Sequence, residues 1–341
     1  MQDLSSSTEA VKQYVSDEYH KSMHSEYGDA YIKYRSQWYA AINGDLELDF
    51  PLHIDFELFN SCNYRCSFCP YSLMPADRPK GFNVKGDKRL SLSTIKKVLQ
   101  ESNGRLKAVE LGYNTEPLLS SSLIDIISLC KSYGVLDIRM STNGSLLNNL
   151  DFLDLCTSGL SQLQVSIDAV DATSYEISRN SDKYEVIIAS IKEIIRVRNS
   201  IGSLLPRIRV SYVMTDNNKS SAQLFVDQWK NLADIVALQD LLLYDDVSNL
   251  QKPEQGSLSP KYFDENKGCY MPKVRLSIRS DGTVHPCCTV PGMQLVVGNV
   301  KHMSISQIWN SAALRKIRKS HFDGTWVANK ICRQCMENIY V

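Results

Sequence analysis

No apolar run in this 341-residue chain approaches the roughly 18 residues that a membrane-spanning helix needs. Its first residues, Met1-Gln2-Asp3-Leu4-Ser5, carry no cationic and apolar stretch resembling a secretory signal. Net charge is missing as well, because 38 Lys and Arg balance 38 Asp and Glu. That balance weighs against a nucleic-acid coat protein and a polybasic membrane anchor. The expectation is a cytoplasmic protein that engages neither nucleic acid nor membrane. What is present is an ordinary globular composition, 43% hydrophobic and 22% charged, with length for about two domains. Ten cysteines without a signal segment suggest a reducing compartment, and metal ligation in place of disulfides.

Three of those cysteines share one short stretch, Ser61-Cys62-Asn63-Tyr64-Arg65-Cys66-Ser67-Phe68-Cys69-Pro70. Zinc would ask for a fourth Cys or His nearby, and the stretch has none. A four-iron cluster normally takes four protein ligands, so three thiolates leave one iron open to something that is not protein. The plain alternative is three core cysteines or a partial zinc site. A second group lies near the C-terminus: Cys269, the pair Cys287-Cys288, and Cys332-Arg333-Gln334-Cys335. A Cys-x-x-Cys pair joined by two distant cysteines can close a four-thiolate site, and spacing leaves zinc and iron–sulfur both open. Cys130 and Cys156 fall within apolar helical patterns and read as core residues.

Residues up to Gly44 read as helical, with a capping-box start at Ser6 and Glu9 and a stop at Asn43-Gly44. Tyr27, Tyr31, Tyr34 and Trp38 recur there at helical spacing, which favours a core-packing face over a substrate or partner face. Strands are expected at 53–60, 108–112, 136–141, 163–168, 208–214 and 235–241, and helices at 122–133, 146–156, 184–197 and 222–229. Strands alternating with helices argue for a parallel sheet with right-handed crossovers. Polar residues alternate through several strands: Asp137, Arg139 and Ser141 in one, Gln164, Ser166 and Asp168 in another. A strand covered by helices on both faces reads as a continuous apolar run, so this alternation points to a wet or ligand-filled lumen. The segment 251–266, with Pro253 and Pro260, reads as a crossing between domains, after which the alternation stops. The expected division is a helical segment 1–50, a barrel 51–250 and a small domain 251–341.

The three-cysteine stretch, with an aromatic just before its last cysteine, resembles the signature of the radical S-adenosylmethionine (SAM) superfamily. The resemblance implies an α/β fold, a partial (β/α)6 TIM-like barrel, with the cluster loop following the first strand. It implies a [4Fe–4S] cluster on Cys62, Cys66 and Cys69, whose open iron chelates SAM, and an electron donor such as a flavodoxin or ferredoxin. Gly112-Tyr113-Asn114-Thr115-Glu116-Pro117 is similar to the family's Gly-Gly-Glu stretch, with Asn114-Thr115 in place of the glycines. Glu116 then matches the acceptor for the SAM ammonium. Ser141 and Asn143, and Ser166 with Asp168, match positions that meet the ribose and the methionine moiety. Arg179 matches the partner of the SAM carboxylate, or is a solvated helix-end arginine, and Phe68 would lie against the adenine.

The C-terminal stretch is similar to SPASM/Twitch domains, which hold auxiliary clusters. No cysteine follows Cys335, so one auxiliary [4Fe–4S] cluster is expected on Cys269, Cys287, Cys332 and Cys335. Cys288 is then an alternative ligand or a free thiol, and the candidate hydrogen-atom donor. The expected activity is hydrogen abstraction from a small polar substrate (a sugar, aminocyclitol or conjugate), ending in oxidation or epimerisation. The first fifty residues are too short for a leader-binding domain, which tilts against the alternative of a peptide maturase. A non-catalytic metal-binding protein that retains the barrel is the alternative of another class. Tyr244, Asp245 and Asp246, in a polar loop, receive no role.

Overall fold

The computed structural model describes residues 11–14, 19–83, 86, 88–241 and 268–340. In chain order, β1 (Val11–Tyr14) precedes α1 (Tyr19–Tyr27), α2 (Asp29–Asn43), β2 (His53–Phe56), α3 (Leu92–Ser102) and β3 (Ala108–Leu111). Then follow α4 (Leu123–Ser132), β4 (Asp137–Thr142), α5 (Phe152–Thr157), β5 (Gln162–Ser166), α6 (Ala172–Arg179), α7 (Tyr184–Ser200), β6 (Arg207–Met214), α8 (Ala222–Trp229) and β7 (Ile235–Asp240). The C-terminal part adds α9 (Met271–Val274), β8 (Arg275–Ile278), β9 (Thr283–His285), β10 (Gly298–Asn299), α10 (Ile305–Trp309), α11 (Ala312–Phe322) and α12 (Lys330–Tyr340).

All six expected barrel strands are present, and they pair parallel in sequence order from β2 to β7. That order separates two topologies which periodicity alone leaves open. A doubly wound sheet reverses its strand order at a switch point, whereas a barrel winds in one direction. The strands' helix-facing residues, such as Ile138, Met140, Leu163 and Val165, are buried. Helix α7 meets them with Ile187, Ile191, Ile194 and Ile195, an i, i+4, i+7, i+8 stripe. Each such fully buried side chain contributes roughly 1.5–3 kcal/mol. Local signals fix the helix starts. Ser91 caps α3 by accepting from the Thr94 amide at 3.1 Å, and Asp171 with Ser174 forms a capping box on α6.

The aromatic stripe of α1 and α2 closes the lower mouth of the barrel. Tyr19, Met23, Tyr31 and Tyr34 pack on Leu52, Ala108, Leu205 and Ile235, which lie at or just before the N-terminal ends of four strands. The Tyr19 hydroxyl donates to Asp137 at the foot of β4 at 2.5 Å. With the foot closed, the lumen opens at the C-terminal ends of the strands, where the cysteine loop follows β2.

Four expectations need correction. The N-terminal segment is not helical throughout, because Val11–Tyr14 forms a strand antiparallel to β7. An open sheet leaves the edge of β7 unpaired, and that edge recruits a partner. The expected helix over 146–156 is broken into a 3-10 turn at Leu147–Asn149 and α5. Asp151 restarts the helix by accepting from the amides of Leu153 and Asp154 at 2.8 and 2.9 Å. Finally, the strand expected over 53–60 ends at Phe56, and the sheet gains strands beyond the six expected. β8 pairs parallel with the free side of β2, and β9 and β10 extend the sheet antiparallel. The crossing expected at 251–266, Tyr244, Asp245 and Asp246, and the Ser6–Glu9 capping box all lie outside the described residues. Cys130 and Cys156 are buried in the helical layer. Among the described residues, no helix is long and apolar enough to cross a membrane.

Candidate active site

The loop after β2 carries Cys62, Cys66 and Cys69, and a neighbouring strand end and a helix grip it from two sides. From β4 comes Asn143, whose Nδ2 donates to Asn63 Oδ1 at 2.9 Å and to Cys62 Sγ at 3.8 Å. From α6 comes Arg179, whose Nη1 donates to Cys66 Sγ at 3.5 Å. Its guanidinium also sits over the Phe68 ring, 5.6 Å from the centroid. Donors aimed at sulfur stabilise the thiolate state that a metal ligand needs. The Cys69 amide donates to the Cys66 carbonyl at 3.0 Å, closing the turn between them. Burial pushes the Cys69 thiol up to about 12.

Glu116 is buried and anchored within the protein. Its Oε1 accepts from Thr142 Oγ1 at 2.7 Å and from the Leu118 amide at 3.0 Å, and its Oε2 accepts from the Asn143 amide at 2.8 Å. It therefore caps the turn at Pro117 and ties β3 to β4. A carboxylate offers about four acceptor positions, so one stays open on the Oε2 side for an ammonium. Just before it, Gly112 has φ 95°, and a Cβ there would stand 2.5 Å from the Ser141 carbonyl. Only glycine permits that backbone approach.

Asp168 and Arg179, matched separately to SAM contacts, form an ion pair with each other. Asp168 adopts φ 59°, turning its carboxylate so that Oδ1 accepts from the Val213 amide at 2.7 Å. Arg179 is 7% exposed, which rules out the solvated helix-end reading. Its Nε is buried without a partner, which suits a guest carboxylate. Ser141 and Ser166 face the lumen lower down. Ser141 donates to Glu110 at 2.8 Å, and Ser211 donates to Ser166 at 3.4 Å.

The second cysteine group is assembled from distant elements. Cys269 precedes α9, and its amide donates to His321 Nδ1 at 3.0 Å. Cys287 follows β9. Cys332 and Cys335, three apart on α12, share one helix face. The Thr289 hydroxyl stands 3.5 Å from Cys287 Sγ and 3.6 Å from Cys335 Sγ, joining the two. Burial pushes the Cys269 thiol far up, and the neighbouring charges of Cys287, Cys335 and Cys332 add to it. Among the described residues, no three Cys, His, Asp or Glu side chains converge tightly enough for a single metal ion. A four-iron cluster is wider than an ion and asks its thiolates to stand apart.

Gly292 makes the room. A Cβ there would lie 2.2 Å from Cys287 Sγ, inside the sulfur's own volume. Gly292→Ala is expected to displace Cys287 and to lower iron by about four atoms per chain, with the first cluster retained. Iron and labile sulfide analysis checks this, and an unchanged content would remove Cys287 from the ligand set.

Cys288 points elsewhere. Arg275 Nη1 donates to its Sγ at 3.6 Å, and Asn114 Nδ2 donates to its carbonyl at 3.1 Å. Like Cys62 and Cys69, it packs against the apolar group of Tyr71, Phe82, Tyr113, Val290 and Met293. No local pattern in the chain announces the network beside it. Asp55 accepts from Arg275 Nη2 at 2.6 Å and from Ser277 Oγ at 2.5 Å. His53 Nε2 lies 2.9 Å from Arg275 Nη2. The same Nε2 lies 3.1 Å from Asp55 Oδ1, and burial, then the Arg275 charge, push His53 down to about 4, so its ring is neutral. Alternation placed these polar residues on β2, but their partners on β8 became visible only once that strand joined the sheet.

Two family models match the chain: the radical SAM superfamily over residues 56–206 and the SPASM iron–sulfur cluster-binding domain over residues 269–336. Among curated proteins, a probable GTP 3',8-cyclase of Saccharolobus islandicus is 26% identical over 175 residues, covering 51% of this chain and 52% of that protein. The GTP 3',8-cyclase of Synechococcus elongatus is 27% identical over 169 residues, 48% of this chain and 46% of that protein. The chain thus spans about half the length of the curated relatives it matches. Among solved structures, BtrN in complex with AdoMet and 2-DOIA superposes with TM-score 0.53 at 16% identity, covering 84% of this chain and 93% of that one. Streptococcus suis SuiB superposes with TM-score 0.55 at 14% identity, covering 85% and 73%. These likenesses carry the fold. The two family models, with the cysteine sites they span, place the chain in the radical SAM superfamily, with a SPASM domain, a SAM-binding [4Fe–4S] cluster and auxiliary iron–sulfur content.

Proposed function

We propose that this enzyme abstracts a hydrogen atom from a small polar substrate held in the barrel lumen, and that Cys288 returns a hydrogen atom to it. Cys62, Cys66 and Cys69 would hold a [4Fe–4S] cluster, which with SAM bound would supply the reductive cleavage of SAM that makes a hydrogen-abstracting radical. Asn143 and Arg179 hold the thiolates, the open side of Glu116 takes the SAM ammonium, and the free Nε of Arg179 takes the SAM carboxylate. Phe68 offers the adenine a flat face, while Ser141, Ser166 and Asp168 line the wall beside it. Cys269, Cys287, Cys332 and Cys335 hold one auxiliary [4Fe–4S] cluster. An electron carrier of the flavodoxin or ferredoxin kind delivers the reducing electron.

The position of the Cys288 thiol carries this reading. It is held by Arg275 on the lumen side and packs, like Cys62 and Cys69, against the apolar group of Tyr71 and Tyr113. A thiol there can return hydrogen to one face of a substrate radical after abstraction from the other, which epimerises the substrate, and the Cys288 thiyl radical left behind takes one electron from the same carrier and one proton to become a thiol again. The second reading is oxidation, for which an auxiliary cluster held by Cys269, Cys287, Cys332 and Cys335 would supply an electron acceptor. It is favoured by Cys287 being the residue before Cys288, whose thiol Arg275 holds on the lumen side. The charged side chains of Asp55, Glu110, Arg139 and Arg275 crowd the lumen, which suits a small polar molecule better than a peptide.

Reaction in deuterated water distinguishes the two outcomes. Wild type is expected to place deuterium on the substrate carbon, and Cys288→Ala to cleave SAM without deuterium return or inverted product. Full turnover by Cys288→Ala would eliminate the thiol's role.

A further inference from the structure

We propose that Arg209 is an anion-binding residue of the lumen, so that the substrate carries a carboxylate or phosphate group. The proposal deepens the reading above, since it rests on the lumen being the substrate's site.

Residues two apart on a strand share a face. Ser211 faces the lumen, donating to Ser166, and Arg209 lies two residues below it on β6. Its neighbours in register are Gln164 on β5 and Ile235 on β7. The other lumen cations are matched. Arg139 makes two bonds to Asp137, at 2.8 and 2.7 Å, and Arg275 holds Asp55. Among the described residues, Arg209 has no ion pair, and its Nε is buried with no hydrogen-bond partner.

Nor does a neighbouring carboxylate stand in. Asp137 and Asp55 are taken. Glu110 acts on Arg209 through its charge at a distance, but it forms no ion pair with it and accepts from Ser141 instead. Burial and then the Arg139 charge push Arg209 down to about 10, which still leaves it a cation at neutral pH. A guanidinium whose Nε is buried and unpaired is unfavourable, and that Nε edge is half of a planar fork that matches two anionic oxygens. The residue is only partly covered, so a molecule in the lumen can reach it.

Position gives the substrate a length. Asp168 contacts β6 at Val213, four residues above Arg209, which is roughly 13 Å along a strand. An anion seated on Arg209 therefore anchors the deep end of a substrate whose reacting carbon lies higher, at the level of the cluster loop.

The test uses the reconstituted full chain with SAM bound, under anaerobic conditions. Thermal unfolding is followed against sodium phosphate and against sodium acetate, each at ionic strength held constant with chloride. Wild type is expected to gain stability saturably with at least one of the two anions. Saturation at lower acetate assigns a carboxylate, and at lower phosphate a phosphate. Arg209→Gln is expected to weaken that response at least tenfold. Arg209→Lys, which keeps the charge but loses the fork, is expected to weaken it less. Iron content confirms that each variant is assembled, and Arg209→Lys decides the matter if Arg209→Gln does not assemble. A wild type that responds to neither anion overturns the proposal, as does an assembled variant that responds like wild type. SAM cleavage by wild type is measured on the same preparation. Its absence would sink the radical-enzyme reading while leaving the anion titration readable.

Discussion

Replacing Cys62, Cys66 and Cys69 together with Ala is expected to abolish SAM cleavage and to halve the iron. Wild type should hold roughly eight iron atoms per chain after anaerobic reconstitution, and the variant about four. The residual iron would belong to Cys269, Cys287, Cys332 and Cys335, which are drawn from other elements and share none of the first site's hydrogen bonds. The loop is held by Asn143 and Arg179 through Asn63, sulfur and ring contacts, so its backbone has supports that survive loss of the thiols. Iron, labile sulfide and 5′-deoxyadenosine formation are measured side by side. Cleavage at the wild-type rate by the variant would discard the site. Only about four irons in wild type, together with bound zinc, would make the C-terminal site structural and remove the oxidative reading.

The local parts of this molecule are legible in its sequence. Strands such as Ile208–Met214 and the helix beginning at Tyr184 stand out by period, because each is long enough for its buried face to repeat. The polar alternation of Asp137, Arg139 and Ser141 announces a lumen for the same reason. What escapes is what depends on long-range pairing. Val11–Tyr14 is a strand because β7 has an edge to cover, and Arg275–Ile278 joins β2 for a similar reason. Neither fact is written in the segment itself. The site divides in the same way. Cysteine spacing identifies the ligand groups, but not that Thr289 joins Cys287 to Cys335, nor that Arg275 draws Cys288 aside. Glu116 is visible as an acid before a proline, whereas its three internal donors arrive from residues up to 27 positions away. Asp168 and Arg179 appear in sequence as two separate contacts to a ligand. Folding makes them a pair.

That pair yields the second large effect. Asp168 is fully buried and Arg179 nearly so, and removing one member of such a pair leaves an uncompensated charge. Asp168→Ala is therefore expected to cost about 3–5 kcal/mol in denaturant unfolding. The double variant Asp168→Ala, Arg179→Met removes both charges and is expected to be more stable than Asp168→Ala alone, since a buried pair and an apolar replacement differ little. The coupling separates a true pair from two independent structural residues, whose costs would simply add. Catalysis should not recover with stability. Arg179 also holds Cys66 Sγ and covers Phe68, so the double variant leaves the cluster loop without that grip. Displacement of a reacting group by about 1 Å can cost on the order of 100-fold. SAM cleavage is therefore expected to fall by that order in Asp168→Ala and to stay low in the double variant, although the fold is regained. If cleavage returned with stability, the pair would be a fold element alone. If the two single costs summed to that of the double variant, Asp168 and Arg179 would not act as a pair at all.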